Sequence, residues 1–435
     1  MPRHTIPNTE TSYALVCFDE DGAERSDDRD APGGRFSEKV IEEVRQNPPT
    51  DIFAFSHGWK GDVLGAVDQY DKWIGALVNE QADRARMQAR PDGFQPLFLG
   101  LHWPSLPWGD EEIGAGANFA VQGGSVAALI DLYAKRLGDK PEVRAALTVI
   151  FAEARTNAAA DTLTDNARQA YFKLNNALGL GENQLGGPPE ADREPFDPDA
   201  AVDASAELGA DFGGLDLGGA ILSPLRQLSF WMMKKRARKV GEGGMHDILN
   251  RLQSASADAR IHLMGHSFGC IVMSSVLGGP GCAAPLVRPV DSCVLVQGAM
   301  SLWSFSSAIP PAPGASGYFR RVLADGKVRG PMVATISKFD TAVGRLYPAA
   351  AGVAGQVAFA GLPKYGAIGA FGICGIDGVH TEKMLPANQN YAFEAMRIYN
   401  LESSQFIRKG GGLSGAHSDI CGPEVAHAIW QAALG

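Results

Sequence analysis

Short runs of β-branched and aromatic residues, each bounded by Gly, Pro, Asp or Ser, recur along this chain with helical patterns between them. The runs are Tyr13 to Phe18, Asp51 to Phe55, Pro96 to Trp103, Ile261 to Gly265, Val290 to Val296, Val333 to Ser337 and Arg397 to Ile407. Helical periodicity falls at Phe36 to Arg45, Leu64 to Arg84, Leu222 to Gln253, Phe268 to Leu277 and Pro423 to Ala433. Strands that alternate with helices need crossover connections. Such connections predict an α/β fold: a mostly parallel central sheet with helices on both faces. With 435 residues, 45% of them hydrophobic, the chain can bury one large, elaborated core.

One interval breaks the rhythm. Residues 104–221 read as an insertion into a core made of 1–103 and 222–435. From Gly123 to Leu180 the insertion is Ala-rich and helical. It is followed by GGPPEADREPFDPDAAVDASAELGADFGGLDLGG, which has too little periodic apolar surface to offset its ordering entropy and reads as a mobile acidic loop. DFGGLDLGG echoes calcium-binding Gly/Asp repeats but has no period, so no metal is expected. Pro348 to Pro386, rich in Gly and Ala, also reads as loop or insert. In WMMKKRARK, a helix with its apolar side on the sheet places Lys234, Lys235, Arg236, Arg238 and Lys239 mostly in water.

The net charge of -10 argues against a nucleic-acid partner. Nine carboxylates between Glu190 and Asp216, against Arg193 alone, account for most of it, so the sign says little about substrate. Six scattered cysteines without a CxxC fit reduced thiols. The N-terminus lacks the apolar core of a signal peptide, and no run is long and apolar enough to be an integral membrane segment. Cytoplasmic residence is the expectation. The oligomeric state is not legible.

The segment IHLMGHSFGCIVMSSVL carries the chemistry. Its Gly265-His266-Ser267-Phe268-Gly269 is a GxSxG, weak as a bare pattern, but a buried-strand run precedes it and an apolar helix pattern follows. A strand-to-helix reversal that tight strains the central residue, exposes the Ser267 hydroxyl at the strand's carboxyl end, and needs small residues at 265 and 269 for close approach. Acyl transfer also needs donors for an oxyanion. The N–H of Phe268 is one; in DIFAFSHGWKGD, the supporting loop His57-Gly58 offers Trp59 N–H as the second.

Serine needs a base, and the base needs an acid to hold its tautomer. His262, His266 and His427 sit in strand, elbow and helix patterns and read as packed. His417, in the small-residue loop SGAHSDI after the last strand run, is the candidate base, with His380 in reserve. Asp340, three residues beyond a strand ending near Ser337, is the candidate acid, with Asp377 and Asp419 as alternatives. Trp59, Trp103, Trp303 and Phe268 are candidates to wall an apolar acyl pocket.

FSHGW, GHSFG, FDTAVG and AHSDI, in this order, make the chain resemble the α/β-hydrolase superfamily on its esterase and lipase side, over roughly 10–105 and 222–435. The resemblance implies a serine carboxylester hydrolase with a catalytic triad of Ser267, His417 and Asp340. It implies no cofactor and no metal, and a small-molecule or lipid ester as substrate. Phospholipase or acyltransferase action, amidase action, and a non-catalytic scaffold on the same fold are the alternatives. The large insertion departs from the usual pattern, because many relatives carry their lid later in the chain, after the strand corresponding to Val290 to Val296.

Overall fold

The computed structural model describes residues 3–28, 30–59, 62–105, 126–157, 160–182, 184–207, 219–351, 358–359 and 361–435. The chain forms two compact units, one of Met1–Leu106, Arg236–Gly344 and Gly366–Gly435, the other of Pro107–Lys235 and Arg345–Tyr365. The second unit therefore runs past the expected boundary at 221 and takes in a further segment, 345–365, most of which falls in the stretch read as loop or insert.

The strands are β1 (Arg3–Thr5), β2 (Ser12–Cys17), β3 (Asp51–Ser56), β4 (Pro96–His102), β5 (Arg260–His266), β6 (Ser292–Val296), β7 (Met332–Ile336), β8 (Ala358–Phe359), β9 (Leu362–Pro363), β10 (Val379–Lys383) and β11 (Ile398–Glu402). In the first unit nine of them form one sheet in the order β1-β2-β4-β3-β5-β6-β7-β11-β10. Every pair is parallel except the β1–β2 hairpin at one edge. This is an α/β architecture with a mostly parallel sheet.

The central strands are covered on both faces, so their sequences run apolar without alternation: all six residues of β3 and all five of β6 are buried. On one face the helices Val63–Asn79 and Pro423–Leu434 pack together, and Trp73, Trp430, Phe53 and Phe55 meet edge to face at ring separations of 5.1 and 5.2 Å. Helix His246–Ala255 packs against both Phe36–Gln46 and Gly269–Gly278. The single pattern expected over Leu222 to Gln253 is broken at Gly241–Met245, where Gly243 leaves helical geometry. The edge strand β10, VHTEK, lies in the stretch read as loop. Almost wholly exposed, it has no apolar alternation to announce it, and it exists through parallel pairing with β11.

In the second unit, helices Val126–Leu137, Pro141–Thr156 and Asp165–Leu178 bury an apolar cluster that includes Leu147, Ile150, Tyr171, Leu174 and Trp231. Two expectations fail here. The first half of the acidic segment is packed, not loose: Glu190, Asp192 and Arg193 are buried, Arg193 donates to Asn175 Oδ1 at 2.7 Å and Gly181 O at 3.2 Å, and Pro198–Glu207 is helical. Specific polar partners stabilise what a hydrophobicity count scores as loop. The remainder, 208–218, with DFGGLDLGG up to 218, lies outside the described residues.

Nor are the cations of WMMKKRARK in water. Lys234 is fully buried, its ammonium 4.2 Å from the Trp231 ring and 4.4 Å from that of Tyr347, and it donates to Tyr347 Oη at 2.7 Å. Burial pushes it down to about 7, against the pull of Asp192 and Glu190. Arg236 is buried too and donates to Pro104 O at 2.9 Å. The other three are half-buried: Lys235 on the Leu178 and Gly179 carbonyls, Arg238 on Glu242, Lys239 on Asp21.

A buried polar pair in the first unit ties the C-terminal helix down. His427 donates from Nδ1 to Asp83 Oδ2 at 2.6 Å and from Nε2 to Gln389 O at 2.7 Å. Desolvation works against the imidazolium, but the Asp83 and Gln389 hydrogen bonds outweigh it and raise the pKa. A raised histidine pKa contributes stability that is complete below the unfolded value, about 6.5, and disappears as pH rises through the folded value. His427→Gln should therefore cost more stability in urea titrations at pH 5.5 than at pH 9.5. Equal losses would mean that folding leaves the imidazole pKa unshifted.

Candidate active site

The carboxyl ends of the parallel strands collect the loops that matter. β5 ends at His266, and Ser267 takes a left-handed backbone, φ 56°, before the helix Gly269–Gly278 begins. Non-glycine residues pay for that conformation, so it persists only where surroundings hold it. Here Ser267 N–H donates to Val296 O, while Ser267 O accepts from Ala299 and Cys270, each at 3.1 Å. The flanking glycines allow the reversal: a Cβ at Gly265 would collide with Gly269 O, and one at Gly269 with the carbonyl of Ser56 on β3.

The loop after β3 comes in over this turn. A Cβ on Gly58 would sit 2.6 Å from Ser267 Cβ and 3.2 Å from its Oγ, so only glycine fits. The Gly58 carbonyl is held by His57 Nδ1–H at 2.8 Å and by Ser105 Oγ at 3.1 Å. Because a trans peptide carries its C=O and the next N–H on opposite sides, fixing that carbonyl also fixes the direction of Trp59 N–H. His57 is thus a bracket, not a base. Its Nε2 accepts from Trp103 N–H at 3.3 Å, its ring stacks 5.5 Å from that of Trp103, and burial pushes its pKa down to about 4.

His417 Nε2 lies 2.7 Å from Ser267 Oγ, and His417 Nδ1 lies 2.7 Å from Asp340 Oδ2. Asp340 is buried. Its Oδ2 also accepts from Gln297 Nε2 at 2.9 Å, and its Oδ1 from Val343 N–H at 3.2 Å. Ser267, His417 and Asp340 therefore form one continuous hydrogen-bonded chain. In that arrangement Nε2 can take the serine proton, while Asp340 fixes the tautomer by holding Nδ1–H.

The reserve candidates lie elsewhere. His380 is on β10, four strands from β5 in the sheet, about 19 Å at ~4.8 Å per strand, and it stacks on Tyr399. Asp377 is on an exposed turn. Asp419 Oδ2 accepts from the amides of Arg408 and Lys409 at 2.9 and 2.7 Å, which shapes the His417 loop from within. His262 is packed between Ser292 and Asp51. Of the four aromatics considered for an acyl wall, Trp103, Trp303 and Phe268 are fully buried; Trp59, half-buried with its ring 5.7 Å from that of Phe268, alone offers surface.

Two supporting roles escape the sequence reading. Gln297, just beyond β6 and itself left-handed at φ 47°, donates to Asp340 while its Oε1 accepts from Thr335 Oγ, both at 2.9 Å. A lone Gln after a strand carries no recognisable signal. His266, read only as packed, donates from Nε2 to the backbone carbonyl of His417 at 2.9 Å and accepts from Gln69 at Nδ1, 3.2 Å. Burial, and then the neighbouring His417, push its pKa down to about 3. It clamps the His417 loop as a neutral ring.

Among the described residues no cluster of His, Cys, Asp and Glu could hold a metal ion, and no helix is long and apolar enough to cross a membrane. All six cysteines are free. No protein-family model, no curated protein and no solved structure matches this chain.

The contact between Gly269 and β3 can be measured. Gly269→Ala should cost about 3 kcal/mol or more in urea unfolding, because the methyl meets a backbone carbonyl that cannot step aside. Gly93→Ala, left-handed at φ 72° but with open space around it, should cost only about 1 kcal/mol. Equal costs would show that the elbow is not tightly packed.

Proposed function

We propose that the first unit is an α/β-hydrolase fold and that the protein is a serine carboxylester hydrolase. The observation that carries the reading is the unbroken chain from Ser267 Oγ through His417 to Asp340, set on a left-handed serine at a strand-to-helix turn. The β2-β4-β3-β5-β6-β7-β11 order, with nucleophile, acid and base on the loops after β5, β7 and β11, supports the family assignment.

In the mechanism, Ser267 Oγ attacks the ester carbonyl carbon while His417 Nε2 takes its proton, and the carbonyl π pair moves onto oxygen. The amides of Trp59 and Phe268 receive that oxyanion, each donor contributing about 3 to 4 kcal/mol to the transition state. The tetrahedral species collapses, the C–O bond to the alcohol breaks, and His417 returns its proton to the departing alkoxide. Water, deprotonated by His417, then releases the acid. Asp340, restrained by Gln297, keeps the imidazole in one orientation throughout. No metal or organic cofactor enters these steps. The free thiols support a reducing, cytoplasmic setting.

A fluorophosphonate probe tests the reading. It should label Ser267 in folded protein and label nothing in Ser267→Ala; an unlabelled Ser267 would favour the scaffold alternative. His417→Ala should lower kcat by about 10^3 or more with the fold retained. A third measurement uses the neighbouring imidazoles: burial holds His57 at about 4 and His266 at about 3, both neutral above pH 5. The acidic limb of log kcat/KM should then have a slope of one between pH 5 and 8. A slope of two would mean that a second histidine gains a proton with His417.

A further inference from the structure

We propose that Lys338, Arg408 and Lys409 form an anion subsite beside the triad, which selects esters whose alcohol portion carries a carboxylate or phosphate. This rests on the hydrolase reading above and names its substrate class.

The three cations are exposed, and among the described residues none has a carboxylate within ion-pair distance. Two of them converge on one ring. Lys338 Nζ lies 5.2 Å and the Arg408 guanidinium 5.9 Å from the centroid of Phe339, which is itself 39% exposed beside the buried Asp340. Cation–π contacts hold the two charges over a common platform without neutralising them. Asp419, on the same loop as His417, spends one carboxylate oxygen on the backbone amides of Arg408 and Lys409, so it fixes the loop that presents them.

The patch is joined to the triad through backbone. Ala416 N–H donates to Phe339 O at 2.9 Å, and the next residue on each side of that bond is a triad member, His417 and Asp340. The chemistry then says which part of an ester lies here. His417 must hand its proton to the departing alkoxide, so the alcohol portion leaves along the His417 side of Ser267. An anionic group on the alcohol meets the cations; one on the acyl portion points toward the Trp59 side.

Acetate esters of phenols test this, because each carboxylate-bearing phenol can be paired with its neutral methyl ester. Zero, two or four methylenes separate ring and carboxylate, and wild type is compared with Lys338→Gln/Arg408→Gln/Lys409→Gln. The anionic-to-neutral ratio of kcat/KM cancels intrinsic reactivity. We expect it to fall about 5-fold or more in the variant for at least one spacing, and wild type in 0.5 M salt to approach the variant as the charges are screened. An unchanged ratio at every spacing overturns the subsite. Calorimetric binding of the free carboxylate-bearing phenols gives a readout independent of turnover. It should weaken about 5-fold in the variant, and equal binding again overturns the proposal. If wild type hydrolyses no ester but the binding difference persists, the hydrolase reading fails and the anion site stands. Cosedimentation with phosphatidylglycerol vesicles that depends on the three cations, with soluble ratios unchanged, would overturn the soluble-ester subsite in favour of a lipid surface.

Discussion

The left-handed backbone of Ser267 is the constraint around which the first unit is arranged. A serine does not hold φ 56° unaided. It holds it here because β3 and β6 lie on either side of β5 and offer contacts at fixed distances: the Val296 carbonyl takes Ser267 N–H, and the Ser56 carbonyl leaves room at 269 for hydrogen alone. The strain is met by the register of three parallel strands. Moving any one of them relative to β5 would release the turn and withdraw the hydroxyl.

Around that turn the protein sorts its imidazoles by solvation. Three rings, those of His57, His266 and His417, lie close to Ser267, and a second cation among them would repel the imidazolium that the proposed proton transfer requires. Burial keeps His57 and His266 neutral, and each is put to structural use, on the Gly58 carbonyl and the His417 carbonyl respectively. Of these three, His417 alone is offered both a hydroxyl and a carboxylate. The same residue type thus fills different roles within one site, decided by access to water and by which groups face each nitrogen.

The second unit follows another rule. Its acidic segment holds buried charges of both signs, Glu190 and Asp192 with Arg193 and Lys234, and aromatic rings take the place of water around the ammonium. Such a cluster is costly to bury unless its members are satisfied together. Packing of this kind is compatible with a composition that looks disordered, because specific polar partners and ring contacts add to a modest amount of apolar surface.

Much of the first unit was legible before folding was considered. Buried parallel strands read as short apolar runs, so β2 to β7 and β11 stand out, and the GxSxG context with the loops after β7 and β11 narrows the candidates to Ser267, to Asp340 among three acids and to His417 over His380. The sequence by itself determined the periodicity, the strand-to-helix turn and the residues small enough for close approach, since these are local properties of neighbouring residues. Tertiary structure alone decided that Gln297 braces Asp340, that His266 clamps the His417 loop, that β10 pairs at an exposed edge, and that Lys234 is buried. Each of these depends on a partner far away in the chain, and a linear pattern carries no record of which distant groups a sheet will bring within hydrogen-bonding reach.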